Sequence, residues 1–100
     1  MMNKSEFAAA ANEKQAWVPG KRIKIDYGAE GVVLLDGVEN RASEEDGAAD
    51  TTIKVSWEDW QALADGRLDG MTAFMMGKLK VEGDMSNAMQ LQGVLSKLRG

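Results

Sequence analysis

The stretch Gly66-Arg67-Leu68-Asp69-Gly70-Met71-Thr72-Ala73-Phe74-Met75-Met76-Gly77-Lys78-Leu79-Lys80-Val81-Glu82-Gly83-Asp84-Met85 changes its apolar period twice, and the changes decide the fold. Asp69 is placed to cap a short helix and Gly77 to stop it. Between them Met71, Ala73, Phe74, Met75 and Met76 are apolar nearly all round, so the helix is expected to be buried or to line a cavity. Leu79 and Val81 then alternate with Lys78, Lys80 and Glu82, the period of a half-buried strand. Gly83-Asp84 turns the chain. Met85, Ala88, Met89, Leu91, Val94, Leu95 and Leu98 follow at helical spacing and predict a final helix.

Upstream, Thr51, Ile53 and Val55 alternate with Thr52 and Lys54 as a strand. Ser56 caps a helix, with Asp59 at the capping-box position. Trp57, Trp60, Leu63 and Ala64 share one face of it, and Gly66 ends it. Further back, Ile23, Ile25 and Tyr27 alternate with Lys24 and Asp26. The turn residues Gly28-Ala29-Glu30-Gly31 join them to Val32-Val33-Leu34-Leu35, predicting a hairpin. The second arm is apolar on both faces, so it is expected to be covered on both sides. A short edge strand fits around Glu39 to Ser43 within the acidic stretch 36–50. Residues 3–16 predict a first helix with Ser5 as its cap, dependent on docking because it holds few large apolar residues. Trp17-Val18-Pro19-Gly20 ends it. The resulting order is helix, hairpin, edge strand, strand, two helices, strand, helix. A curved sheet with helices on one face is the simplest architecture for it.

Composition narrows the function classes. One hundred residues with 44% hydrophobic content suit one domain over 1–100. Sixteen acidic against twelve basic residues, interspersed, leave no basic footprint for nucleic acid and no basic block of the kind that grips an anionic membrane. Histidine and cysteine are absent, which removes His-based acid–base chemistry, the usual nucleophile–base pairs and His or Cys metal sites within one chain. Ser56 and Ser86 have capping explanations, Ser96 falls inside the last helix pattern, and Glu58 and Asp59 point to different helix faces. No catalytic residue, metal or cofactor is expected. The acidic stretch lacks the spacing of a calcium loop and reads as solvated. No apolar run is long enough for a leader or a membrane span, and Ser96-Lys97-Leu98 is followed by Arg99-Gly100, so the expected location is cytoplasmic.

The run Gly66 to Met85, continued through Ala88-Met89-Gln90-Leu91-Gln92 and preceded by Ala49-Asp50-Thr51-Thr52-Ile53-Lys54-Val55-Ser56, resembles the sterol carrier protein 2 family. The similarity covers about residues 20–98. It implies an α/β (α+β) fold: a mixed five-stranded sheet with helices over one face and an apolar tunnel between them. It also implies a non-catalytic carrier of sterol, fatty acid, fatty acyl-CoA or phospholipid. The family usually has a longer amphipathic helix before the first strand. Here about 17 residues precede Val18, so residues 1–19 read as a shortened helix and turn, and one tunnel wall is expected to be thinner or open. Proline is frequent in the family where Gly70 stands.

On this resemblance the candidate lipid-binding residues are Trp60, Leu63, Met71, Phe74, Met75, Met85, Met89, Gln92 and Leu95. Five of the seven methionines lie between Met71 and Met89, and methionine repacks around ligands of differing shape. The competing reading places them in an ordinary core. Trp60 is either tunnel wall or helix-on-sheet packing with a satisfied indole N–H, and Trp57 is a candidate for the mouth. Gln92 is either a polar handle for a head group or a solvated side chain. The expected partner is an apolar small molecule, with transient membrane contact compatible with a carrier. The alternative is a non-catalytic interaction module whose open groove docks a partner or closes by homodimerisation.

Overall fold

A computed structural model describes residues 3–99, and side chains through Leu91 together with Gly93 and Val94. The chain opens with α1 (Lys4–Lys14), followed by the hairpin β1 (Arg22–Asp26) and β2 (Val32–Asp36) around a single 3₁₀ turn at Gly28–Glu30. Then come β3 (Arg41–Ser43), β4 (Thr51–Val55), α2 (Trp57–Ala64), α3 (Gly70–Met75), β5 (Leu79–Gly83) and α4 (Met85–Arg99). The five strands form one sheet in the order β3-β2-β1-β4-β5. Only β1 and β4 run parallel, and the other three pairings are antiparallel. The expected mixed five-stranded sheet, including the short edge strand, is what forms.

Register makes the sheet two-faced. Ile23 stands opposite Leu35 and Thr51, Ile25 opposite Val33 and Ile53, Ile53 opposite Val81, and Val55 opposite Leu79. Because side chains alternate along a strand, these residues share the inner face. Ile23, Ile25, Val33 and Leu35 are fully buried there with Phe7, Trp60 and Leu91 of the helices. Lys24, Lys54, Lys80 and Glu82 fall on the outer face. Leu34 also lies there but is buried, because the acidic segment folds back over it at Gly47 and Asp46 pairs with Lys24 at 2.6 Å. The two-sided apolarity of β2 is therefore real, and a loop rather than a helix provides the outer cover.

Local chemistry sets the element ends. Asn3, not Ser5, caps α1. Its Oδ1 accepts from Glu6 N at 2.8 Å while Glu6 Oε1 accepts from Asn3 N at 3.1 Å, a reciprocal capping box. Ser5 sits two residues too late to cap and donates to Glu44 Oε2 instead. Docking then holds the helix. Phe7 meets Trp60 edge-on at 5.4 Å, and Asn12 exchanges two hydrogen bonds with the backbone of Ala42, satisfying the edge of β3. Ser56 Oγ accepts from Asp59 N to start α2, which ends at Gly66 with φ +80°, a value glycine adopts without steric penalty. At the start of α4, Asp84 and not Ser86 is the acceptor: Ser86 N and Oγ donate to Asp84 Oδ1 at 2.9 and 2.7 Å. Those bonds hold the Asp84 carboxyl below its ordinary range.

Candidate functional site: an apolar cleft

Between the inner face of the sheet and the last three helices lies a cleft of about 590 Å³. Its floor is Ile53, Leu79 and Val81. α2 contributes Trp60 and Leu63, α3 contributes Met71 and Phe74, and α4 contributes Met85, Ala88, Met89, Leu91 and Gly93. The turn from Gly66 to Gly70 closes one end through Leu68 and Asp69. Asp69 is the only charged wall residue among those described, and its Oδ2 accepts from Thr72 N at 3.1 Å as the cap of α3. The rest of the lining can exclude water but offers a ligand few polar contacts, the usual character of an apolar small-molecule site.

The described residues show a cleft; the tunnel that the resemblance implies, with one wall thinner or open, is not shown by them. Four wall residues remain exposed: Met71 at 55%, Phe74 at 43%, Met85 at 43% and Met89 at 62%. The reason lies in how the helices dock. α4 packs against β4, β5, α1 and α2, whereas α3 packs on the edge strand β5. α3 buries only Ala73, so its apolar circumference is not absorbed by the core. The expectation that this helix is buried or lines a cavity is met at Met71 and Phe74, which line the cleft, and not at Met75 or the C-cap Met76, which are exposed outside it.

Six of the nine predicted residues, Trp60, Leu63, Met71, Phe74, Met85 and Met89, meet in the cleft. Met75 does not: it is 79% exposed and stands outside the cleft wall. The side chains of Gln92 and Leu95 lie outside the described residues. Trp57 packs edge-on against Tyr27 at 4.9 Å rather than at the cleft. The sequence reading missed the floor, although the inward phase of Leu79 and Val81 in β5 carried the signal. It also missed Leu68 and Asp69, which sit in a turn with no periodicity to read.

Trp60 is the unusual wall residue. It is 2% exposed, and its indole N–H has no hydrogen-bond partner among the described residues. A buried donor left unpaired costs about 1–3 kcal/mol. The packing alternative for Trp60 came with a satisfied N–H, and that bond is not made among the described residues. Tyr27 shares the position: its hydroxyl is buried without a partner, and burial pushes its pKa up, beyond the ordinary phenol range. Among the described residues no group of His, Cys, Asp or Glu is arranged to hold a metal ion. Nor is any described helix long and apolar enough to cross a membrane.

Comparison with known proteins agrees with this architecture. Residues 3–96 match the SCP-2 sterol transfer family. Stomatin-like protein 1 of Mus musculus is 33% identical over 81 residues, covering 77% of this chain and 20% of that protein. Sterol carrier protein 2 of Gallus gallus is 40% identical over 63 residues, covering 63% of this chain and 12% of that protein. The chain thus spans a fifth or less of the length of these two curated relatives. Among solved structures, sterol carrier protein 2 of Aedes aegypti in complex with palmitate superposes with a TM-score of 0.77. The alignment covers 97% of this chain and 98% of that one at 18% identity, a likeness of fold.

Proposed function

The chain belongs to the SCP-2 sterol transfer family, and on that premise we propose that residues 1–100 act as one lipid-binding unit that carries a single apolar ligand without chemical change. The observation that carries this reading is the cleft itself. Its volume of about 590 Å³ falls within the roughly 300–1,000 Å³ of small-molecule sites. A fatty acyl chain is the ligand its lining favours. Burial of each methylene contributes about 0.8 kcal/mol, so an extended chain reaches useful affinity with few polar contacts. Palmitate bound to the Aedes aegypti protein of the same fold supports that class of ligand. The Trp60 N–H, buried and unpaired among the described residues, is the candidate donor to an acyl carbonyl or carboxylate. Met71, Met85 and Met89 adapt to differing chain shapes through their flexible thioethers. Sterol, phospholipid and acyl-CoA remain within the same apolar chemistry and are ranked by the experiment rather than by the family name.

Transfer is then a physical step. The ligand leaves when the wall opposite the sheet moves, and α4, which contributes Met85, Ala88, Met89, Leu91 and Gly93 to that wall, is the element to move. In this reading no bond is made or broken.

Native mass spectrometry of the purified protein, followed by organic extraction, tests the proposal. A fatty acid, acyl-CoA or phospholipid near one per chain is the expected result. A clean apo mass that does not change after incubation with those lipids, together with a constitutive dimer, overturns it in favour of the interaction module.

A further inference from the structure

The two edges of the sheet are finished differently. β3 is 3 residues long and is covered by Asn12, which donates to the Ala42 carbonyl at 2.8 Å and accepts from the Ala42 N–H at 2.7 Å. β5, at the other edge, is 5 residues long and pairs only with β4 among the described residues. Successive backbone groups of a strand point to alternate sides, so part of the β5 ladder is turned outward without a partner strand. An open edge of that kind is a template for another strand. Lys80, Glu82 and Gly83 along it are exposed.

The charge order along this edge is its own complement. Lys78 and Lys80 precede Val81, whereas Glu82 and Asp84 follow it. Within the sheet Lys80 stands directly opposite Lys54, a like-charged cross-strand pair of the unfavourable kind. Glu82 offsets only one member of that pair: it meets Lys54 at 3.5 Å, and Lys80 enters no ion pair among the described residues.

We propose that β5 pairs with β5 of a second copy of this chain, antiparallel about a two-fold axis through Val81, and joins the two sheets into one. In that register Lys80 stands opposite Glu82 of the second copy, and Glu82 opposite its Lys80. Each Lys80 thereby gains the carboxylate that its own sheet gives to Lys54. Directly opposed residues share a face of the sheet, so Leu79 and Val81 continue the apolar inner face across the seam. Centring the axis on Lys80 or on Glu82 instead sets that residue against its own copy, and like charges repel. A two-fold contact is also closed, so pairing consumes the open edge and does not propagate into a fibre. An edge of 5 residues makes a small interface, and the dimer is expected to depend on concentration. The inference does not depend on the carrier reading, because β5 pairs through its outer edge and charged face.

The test is sedimentation equilibrium over a wide range of protein concentration, with circular dichroism to verify that each variant is folded. Wild type is expected to pass from monomer to dimer and to stop there. Lys80→Glu or Glu82→Lys alone turns two opposite-charge pairs into two like-charge pairs, and self-association should weaken at least about tenfold. An equimolar mixture of the two single variants restores complementary pairs in trans and should recover a heterodimer, as should the double variant Lys80→Glu with Glu82→Lys as a homodimer. The chain has no cysteine, so Val81→Cys is a reporter of register. It should cross-link to its own copy under mild oxidation, whereas Leu79→Cys should not, because that position lies about 13 Å from its counterpart in this register. A monomer at all concentrations overturns the inference. So does a dimer that tolerates both single charge reversals, a mixture that fails to recover association, or equal cross-linking at positions 79 and 81.

Discussion

Asn87, 1% exposed on α4, donates from Nδ2 to the hydroxyl of Thr51 on β4 at 3.1 Å, and the same hydroxyl donates to the Asp84 carbonyl at 2.7 Å. One side chain of the sheet thus fixes both the first turn of α4 and the bend that leads into it. The bend needs glycine: Gly83 has φ +94°, and a Cβ there would collide with the Asp50 carbonyl.

Removing that hydroxyl tests the anchor. Thr51→Val keeps the shape but strands the Asn87 amide in the interior, and is expected to cost about 1–3 kcal/mol in urea unfolding. Thr51→Ser retains both hydrogen bonds and is expected to lose far less. If α4 is the moving wall, Thr51→Val also speeds release of a bound fatty acid in stopped-flow measurements.

Cleft walls and core predict opposite phenotypes. Phe74→Ser with Met89→Ser replaces side chains already exposed, so stability should stay within about 0.5 kcal/mol for each substitution. Fatty acid affinity, read by displacement of a fluorescent analogue, should fall at least about tenfold as apolar contact area is lost. Leu91→Ala removes a side chain that is 2% exposed and should cost about 2–5 kcal/mol of stability.

The Trp60 indole offers a test of head-group chemistry. Trp60→Phe removes the unpaired donor, and binding of a fatty acid should weaken about tenfold, the value of one hydrogen bond to a charged acceptor. Pyrene, which has no acceptor, should lose much less. Equal losses for both ligands would show that Trp60 acts only as packing.

Stability should fall at both ends of the pH range. Burial raises the Asp36 carboxyl, but the N–H groups of Glu39 and Val38 and the Arg22 guanidinium pull it net below its ordinary value of 3.8. Its contribution is therefore complete above that value and is lost as pH falls through the lower folded one. Asp36→Ala should flatten the acid limb of a stability-against-pH curve. Tyr27, the single tyrosine, has the opposite sign. Burial keeps its phenol protonated in the fold, so stability is complete below the ordinary value of 10.0 and declines as pH rises above it. Ultraviolet titration should show tyrosinate only as the chain unfolds.

The sequence by itself determined the elements, their order and the family. Helix starts at Asn3, Ser56 and Asp69, glycine stops, and alternating strands depend on hydrogen bonds and periodicities that span a few residues. Even so, Asn3 and Asp84 displaced Ser5 and Ser86 as caps, because more than one polar residue near a boundary satisfies the pattern and only geometry selects one. Six of the nine residues that the resemblance proposed line the cleft, where apolar side chains at helical spacing face the sheet. That Met75 faces solvent and that the Trp60 N–H is buried without a partner among the described residues was not legible. Nor was the cover that the acidic loop places over Leu34. Tertiary structure decided these points, since each depends on what a distant element covers. α3 packs on the edge strand β5 and buries only Ala73, so Met71 and Phe74 are left at the cleft and Met75 in solvent.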